Sequence, residues 1–398
     1  MNVGGPVRPR QAVLVGWGHT AAVGGPDGQP LLMVDVNGRP FLSHVVELLR
    51  HEGFTQLLML LGHASTAGRE YFGSGEGRGI RIAYATGMES LPPAAQILAA
   101  RSILDDHFLL IHADTYWPMH FESMWQEYVA AGALAMTTVY NNRDGYAIDT
   151  MKVSGGFVEQ FGSTGEWSAH GSEVGYTILR GDALNLMASQ DGTVESALFP
   201  ALIERRALAA YPTEHRFYGV NTPERLAAGR VFLSRGPTII VDCDGVLNPA
   251  PAPPAYARSV ADFEWLPGAL EALRLFRNAG YRIIIVCPVR GQVTVAELEA
   301  IHDLMRRGAH AAGGGIDAIY QCPHDWYAGC ECRKPRPGLL FQAQRDFALD
   351  LTRTIVLGAD EGTMRAAASA GAIGRLVTTD VPLLTHARDI LNLRTWAS

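Results

Sequence analysis

At 398 residues the chain is long enough for two domains of ordinary size, each burying its own core. With 47% hydrophobic and 18% charged residues it is globular, and a net charge of −7 gives no general basic footprint for nucleic acid or an anionic membrane. No run approaches the roughly 20 apolar residues of a membrane span. Met1–Arg10 is Gly/Pro/Arg-rich without the apolar core of a signal peptide, so a cytoplasmic protein is expected.

The first predicted strand, Ala12–Val15, runs into a glycine-containing loop at Gly16 and Gly18, where backbone N–H groups can admit phosphates. An ordinary strand-to-helix turn is the plain alternative. The segment Val36-Asn-Gly-Arg-Pro-Phe-Leu42 precedes a helical stretch over Phe41–Glu52. Leu57–Leu61, Phe108–Ile111 and Ala135–Val139 read as buried, parallel-type strands, and the run from Phe108 leads through His112 and Ala113 to Asp114. Val220-Asn-Thr-Pro-Glu224 closes this part. Such alternation predicts an α/β sheet with helices on both faces.

This order resembles the sugar-1-phosphate nucleotidyltransferases over about residues 10–232, through VNGRPFL, the ADT segment and VNTPE. The resemblance implies a Rossmann-like mixed sheet, a ligand site at Gly16, Gly18 and Asp114, and a nucleotide or nucleotide-sugar as ligand. The sequence departs from that family on charged groups. The GGxGTR phosphate loop reads Gly16-Trp-Gly-His-Thr-Ala21, the PKP lysine corresponds to Gln29, and the LGTGGA loop reads Leu91-Pro-Pro-Ala-Ala-Gln96. The second metal aspartate corresponds to Gly219. Nucleotidyl transfer must neutralise several phosphate charges, and these losses weigh against it.

Arg235-Gly-Pro237 breaks the preceding helix, and an α/β unit restarts at about 237. Expected domains are therefore 1–232 and 237–398. In the second, strands Thr238–Val241, Arg282–Val286 and Thr354–Leu357 alternate with helices Pro267–Ala279 and Gly338–Phe347. The first strand ends in Asp242-Cys-Asp244-Gly-Val-Leu-Asn248, two carboxylates where parallel sheets open into a ligand crevice. So placed, they can hold Mg2+, and one can attack phosphorus while the other handles a proton. A turn capping the strand is the alternative.

Of five cysteines, three fall between Cys322 and Cys332, which points to metal rather than crosslinks. Cys322, His324, Cys330 and Cys332 offer the ligands of a tetrahedral Zn2+ set in a loop of 322–332, with unliganded buried cysteines beside a chance histidine as the alternative. Arg333 and Lys334 follow as cations able to neutralise a phosphate.

The run DxDGVxN, then FEWLPGALEAL, then CPH…CECRKPRPGLL, resembles the heptose bisphosphate and histidinol-phosphate phosphatase branch of the haloacid dehalogenase superfamily, over about 237–378. The resemblance implies a Mg2+-dependent phosphomonoesterase acting on a small-molecule sugar phosphate, on a parallel sheet with a structural zinc loop. Asp242 would be the nucleophile forming an aspartyl-phosphate, Asp244 the acid/base, and Lys334 the group steadying the developing charge. Arg333, Cys287, Arg290 and Asn248 would contact substrate. The sequence departs twice: a TNQSG-like run reads Cys287-Pro-Val-Arg290-Gly291, and the GDxxxD metal segment reads Gly358-Ala-Asp360-Glu-Gly-Thr363. Asp360 or Glu361 is then expected to stand in as the third Mg2+ ligand through a small backbone shift. The leading function is sugar-phosphate hydrolysis in sugar-nucleotide or heptose metabolism. A catalytically impaired binding or scaffold protein, and a bifunctional enzyme that also transfers a nucleotidyl group, are the alternatives.

Overall fold

In the computed structural model, which describes residues 6–16, 29–85, 87, 90–162, 171–250, 260–287, 294–322, 324 and 329–394, the chain divides into two units, Met1–Leu233 and Ser234–Ser398. Gly18 and Arg290 lie outside the described residues. Among the described residues no helix is long and apolar enough to cross a membrane.

Unit 1 begins with β1 (Gln11–Val15), a short ribbon of β2 (Asp35–Val36) and β3 (Arg39–Pro40), and α1 (Phe41–His51). It continues through β4 (Gln56–Leu60), α2 (Ser65–Phe72), β5 (Arg81–Tyr84), α3 (Pro93–Ala99), β6 (His107–His112) and β7 (Thr115–Tyr116). Then come α4 (Phe121–Ala131), β8 (Ala135–Tyr140), β9 (Met151–Ser154), β10 (Phe157–Phe161) and β11 (Ser172–Arg180). The unit closes with α5 (Val194–Glu204), β12 (Leu208–Thr213), β13 (Tyr218–Gly219) and α6 (Pro223–Leu233).

Nine strands form one sheet in the order β5-β4-β1-β6-β11-β8-β12-β10-β9. β5, β4, β1 and β6 are parallel, whereas β11 runs antiparallel to both β6 and β8. Ala135–Val139 is therefore not a strand of a purely parallel sheet: only its β12 neighbour runs with it. A continuous apolar run looks the same in either setting, because what it reports is burial on both faces. Two threonines at the β8–β11 join satisfy each other, Thr177 Oγ1 donating to Thr137 Oγ1 at 2.9 Å.

Unit 2 contains β14 (Thr238–Asp242), α7 (Ala269–Asn278), β15 (Arg282–Cys287), α8 (Val295–Ala311) and β16 (Ala318–Gln321). It ends with α9 (Gly338–Phe347), β17 (Ile355–Gly358), α10 (Glu361–Ser369), β18 (Ile373–Leu376) and α11 (Leu383–Arg394). Its sheet is wholly parallel, ordered β16-β15-β14-β17-β18. Period-two geometry sorts the strand residues onto two cores. Ile239, Val241, Ile283 and Ile285 pack with α7, α8 and α11, while Ile240, Ile284, Val286 and Val356 pack with α9 and α10. Asp242 shares the parity of Ile240, so it points to the α9/α10 side. The sheet order reverses direction at β14, and a crevice opens at the carboxyl end of such a strand.

Candidate active site and metal centre

Asp242 ends β14 and is 2% exposed. The chain then turns at Gly245, whose φ is +75°. The turn is held by Gly245 N–H on the Asn248 carbonyl at 2.7 Å and by Leu247 and Asn248 N–H groups on the Cys243 carbonyl at 2.8 and 3.1 Å. Asn248 was expected to face substrate. It is instead 2% exposed, and its amide takes the Cys243 thiol at 3.1 Å and donates to the Pro249 carbonyl at 3.1 Å, so it holds the turn. Cys287 is also buried, a free thiol in hydrogen-bond contact with that of Cys243; that hydrogen bond, and burial after it, push its pKa well above the usual thiol range. This corrects its expected substrate contact: at the end of β15 it packs beside the strand bearing Asp242.

Lys334 closes the site. Its Nζ donates to Asp242 Oδ2 at 2.7 Å, Asp360 Oδ2 at 2.8 Å and Thr363 Oγ1 at 2.6 Å, which uses all three ammonium protons. The Thr363 hydroxyl donates to the same Asp242 Oδ2. Oδ2 of Asp242 is thereby pinned by two donors, and Oδ1 is left as the oxygen able to act on a ligand. Close approach demands Gly358 at the end of β17: a Cβ there would lie 2.8 Å from Asp242 Oδ2 and 2.3 Å from the Thr363 side chain. Burial pushes the Asp242 carboxyl up, with Lys334 and Thr363 opposing it. Burial pulls Lys334 down, but the Asp242 and Asp360 carboxylates outweigh it and hold the ammonium above its ordinary range.

Asp360, expected as a third Mg2+ ligand, is engaged within the chain. Its Oδ1 caps α10 by accepting the Thr363 N–H at 2.8 Å and its Oδ2 takes Lys334, so both oxygens already serve the protein. Ala359, in the preceding position, brings no oxygen from its side chain. Among the described residues the one group of three or more metal-type ligands that converge is Cys322, His324, Cys330 and Cys332, whose ligand atoms lie within 4.8 Å of one another.

In that group Cys322 and Cys330 Sγ are 3.4 Å apart, His324 Nδ1 is 3.1 Å from Cys332 Sγ, and 3.9 Å separates Cys322 Sγ from His324 Nδ1. A tetrahedral ion with bonds of about 2.0–2.3 Å has ligand edges of roughly 3.3–3.8 Å, and these three separations lie close to that range. Arg333 donates to the His324 carbonyl at 2.6 Å and Arg336 to that of Gly329, so both arginines brace this loop.

In unit 1 the β7–β13 ribbon brings Gly219 against Asp114: a Cβ on Gly219 would lie 3.3 Å from the Asp114 carbonyl oxygen. Asp114 is 5% exposed and Gly16 is buried at the end of the neighbouring β1. The two strand ends meet as the sequence suggests, with one carboxylate in place of two. Sequence reasoning missed His112, whose Nε2 lies 2.8 Å from Glu195 Oε1, with Glu173 and Asp114 nearby. Burial lowers the His112 pKa, but the three acids outweigh it and raise it to about 10.

A histidine raised in the folded state stabilises fully below its unfolded pKa of about 6.5. That contribution is lost as pH rises through about 10. His112→Gln is expected to flatten the fall in unfolding temperature between neutral pH and pH 10, read by calorimetry. An unchanged slope would refute the pairing.

No family model matches the chain. D-glycero-beta-D-manno-heptose-1,7-bisphosphate 7-phosphatase of Bordetella bronchiseptica is 37% identical over 145 residues, 35% of this chain and 80% of that protein. The chain belongs to this phosphatase family. A structure of D,D-heptose 1.7-bisphosphate phosphatase from B. bronchiseptica complexed with magnesium and phosphate aligns over 40% of this chain and 99% of its own, at 30% identity and a TM-score of 0.38. HddC from Yersinia pseudotuberculosis aligns over 55% of this chain and 97% of its own, at 16% identity and a TM-score of 0.48. Membership of the heptose-bisphosphate phosphatase family accounts for the DxD turn and the Cys/His loop standing in one unit.

Proposed function

We propose that unit 2 hydrolyses a sugar phosphate of the heptose bisphosphate type through an aspartyl-phosphate on Asp242. The observation that carries this is the three-way clasp of Lys334 on Asp242, Asp360 and Thr363 at the switch point of the sheet. Asp242 Oδ1 attacks phosphorus while Oδ2 stays bonded to Lys334 and Thr363. The phosphorus–ester bond breaks, and the sugar oxygen leaves with a proton from Asp244. Asp244, now ionised, takes a proton from water, which attacks the acyl-phosphate and releases inorganic phosphate and free Asp242. Lys334 offsets the charge gathering on the phosphoryl oxygens. Free phosphate measured over a panel of sugar mono- and bisphosphates tests this: one bisphosphate should be hydrolysed, and Asp242→Asn should be silent. Phosphate release surviving in that variant would reject Asp242 as nucleophile.

Zn2+ fits the Cys322/His324/Cys330/Cys332 set by ligand type and spacing and serves structure there. Mg2+ fits less well. Asp242 and Asp244 are the carboxylates at its position, and Ala359 adds nothing, so the donor set falls short of a three-carboxylate site. Ala359→Asp is accordingly expected to tighten divalent-ion binding at least about tenfold. The readouts are the water relaxation of bound Mn2+ and the Mg2+ titration of phosphate release. Equal affinity in parent and variant would mean that the ion is held elsewhere.

Unit 1 reads as a degenerate nucleotidyltransferase-like domain, a non-catalytic binding partner for a nucleotide or nucleotide-sugar. The observation favouring this over nucleotidyl transfer is Gly219 beside Asp114, which leaves one carboxylate where two metal aspartates are expected.

A further inference from the structure

Two of the five cysteines, Cys243 and Cys287, stand outside the metal set, and both are free thiols. Asp242 pairs with Val286 in the β14–β15 ladder, so the next residues along, Cys243 and Cys287, face each other across it. The ladder reaches that far, because the Cys243 N–H donates to the Val286 carbonyl at 3.0 Å. Both side chains belong to the core packed with α7, α8 and α11, on the face of the sheet away from Asp242. There the two thiols are in hydrogen-bond contact.

Neighbouring strands lie about 4.7–4.9 Å apart, within the span of about 4.4–6.8 Å between Cα atoms that a disulfide bridges. Two cysteines at one register position and on one face meet that condition without rearranging the sheet. A buried thiol is more often a small apolar filler than a reactive group. Here the thiols meet each other, and both stand at the carboxyl ends of their strands, where the crevice opens, 5% and 8% exposed.

An S–S bond of about 2.05 Å is shorter than a thiol hydrogen bond, so closing it draws Cys243 towards β15. That pull runs against the site. β15 lies on one side of β14 and β17 on the other, and Thr363, which grips Asp242 together with Lys334, stands in α10 directly after β17. Cys243 also joins Asp242 to Asp244, and its thiol donates to Asn248 Oδ1 at 3.1 Å to hold the turn. A disulfide removes that proton. A displacement of about 1 Å in a catalytic group can cost about a hundredfold in rate.

We infer that Cys243 and Cys287 form a reversible disulfide that a peroxide closes and a small dithiol reopens, switching the phosphatase off and on. The effect on turnover rests on the reading of unit 2 as a phosphatase, whereas the bond itself does not. One sulfur attacks a peroxide oxygen, the O–O bond breaks, and a sulfenic acid and water result. The second sulfur attacks the first, the S–O bond breaks, and hydroxide leaves with the remaining thiol proton as a second water. Both sulfurs are thereby oxidised by one electron each and the peroxide is reduced. Oxidation of thiols this shielded is expected over minutes to hours. Thiol–disulfide exchange reverses it, the dithiol being oxidised in turn.

The test exposes the full, zinc-loaded chain to hydrogen peroxide, blocks the remaining thiols and digests it without reductant for mass spectrometry. A peptide joining Cys243 to Cys287 is expected, with zinc still bound by elemental analysis. Phosphate release should fall at least about tenfold as the bond forms and recover with dithiothreitol. Cys287→Ala should keep the parental rate and lose the sensitivity to peroxide, its fold verified by far-UV circular dichroism. Absence of the joined peptide overturns the inference, and needs no variant to observe. Equal inactivation of Cys287→Ala also overturns it, placing the damage in the zinc loop. The joined peptide in a chain that releases no phosphate even when reduced would support the bond and count against the phosphatase reading.

Discussion

Lys334→Met is expected to lower phosphate release on the order of a thousandfold, the scale seen when a preorganised charge partner is removed from a developing anion. Asp242 is 2% exposed and its Oδ2 has two donors, Lys334 and Thr363. Without the ammonium, Asp242 and Asp360 face each other with no cation between them. Burial already pushes the Asp242 carboxyl up, and losing its main opposing charge favours the protonated, non-nucleophilic form. Lys334→Arg should not rescue: a planar fork cannot point three protons at the converging acceptors that one Nζ reaches within 2.6–2.8 Å. Thr363→Val removes the other donor and should cost about ten- to a hundredfold, since a single hydrogen bond to a charged group is worth about 1.5–3 kcal/mol. Steady-state phosphate release with each variant checks the series. A Lys334→Met enzyme retaining a tenth of the parental rate would remove Lys334 from the chemistry.

The clasp shows which parts of the site a sequence displays. Asp242 and Asp244 are legible because a buried strand ending in DxD carries its own local geometry, and the Cys/His loop because ligand spacing is local too. Thr363 was missed, for it meets Asp242 from 121 positions away, and only the β14–β17 pairing brings the two strand ends together. Its partner Asp360 did leave a signal: Asp-x-x-Thr at a helix start is N-cap spacing, which competes with any metal role. Asn248 and Cys287 are implied as substrate contacts by the family resemblance, which carries no information on how this turn packs. In this turn the Cys243 thiol and carbonyl draw the Asn248 side chain and backbone inward instead. In unit 1 the His112–Glu195 pair spans 83 positions, and β11 enters between two strands that read as parallel neighbours. Neither leaves a periodicity to find. What a lone sequence hides in both units is the contact made across the sheet.

Removing zinc should abolish the phosphatase although the ion takes no part in the reaction. Cys322 follows β16 directly and Lys334 comes two residues after Cys332, so the loop that carries the ligands also aims the ammonium at Asp242. Cys322, Cys330 and Cys332 pack on the apolar core shared by β14, β15 and α9, which ties the loop to the sheet. Three thiolates around a divalent ion leave a residual negative charge, beside which stand Arg333 and Arg336. Structural zinc contributes about 10–16 kcal/mol of apparent binding energy in small fingers, as much as the whole stability of an ordinary domain, about 5–15 kcal/mol. Even a fraction of that loss would free the segment from 322 to 337. One zinc per chain by elemental analysis is expected. Chelation, or Cys330→Ser with Cys332→Ser, should drop phosphate release by at least about a hundredfold, in step with bound zinc and with the unfolding temperature of unit 2. Zinc-free protein that keeps the parental rate would show Lys334 to be placed by packing alone.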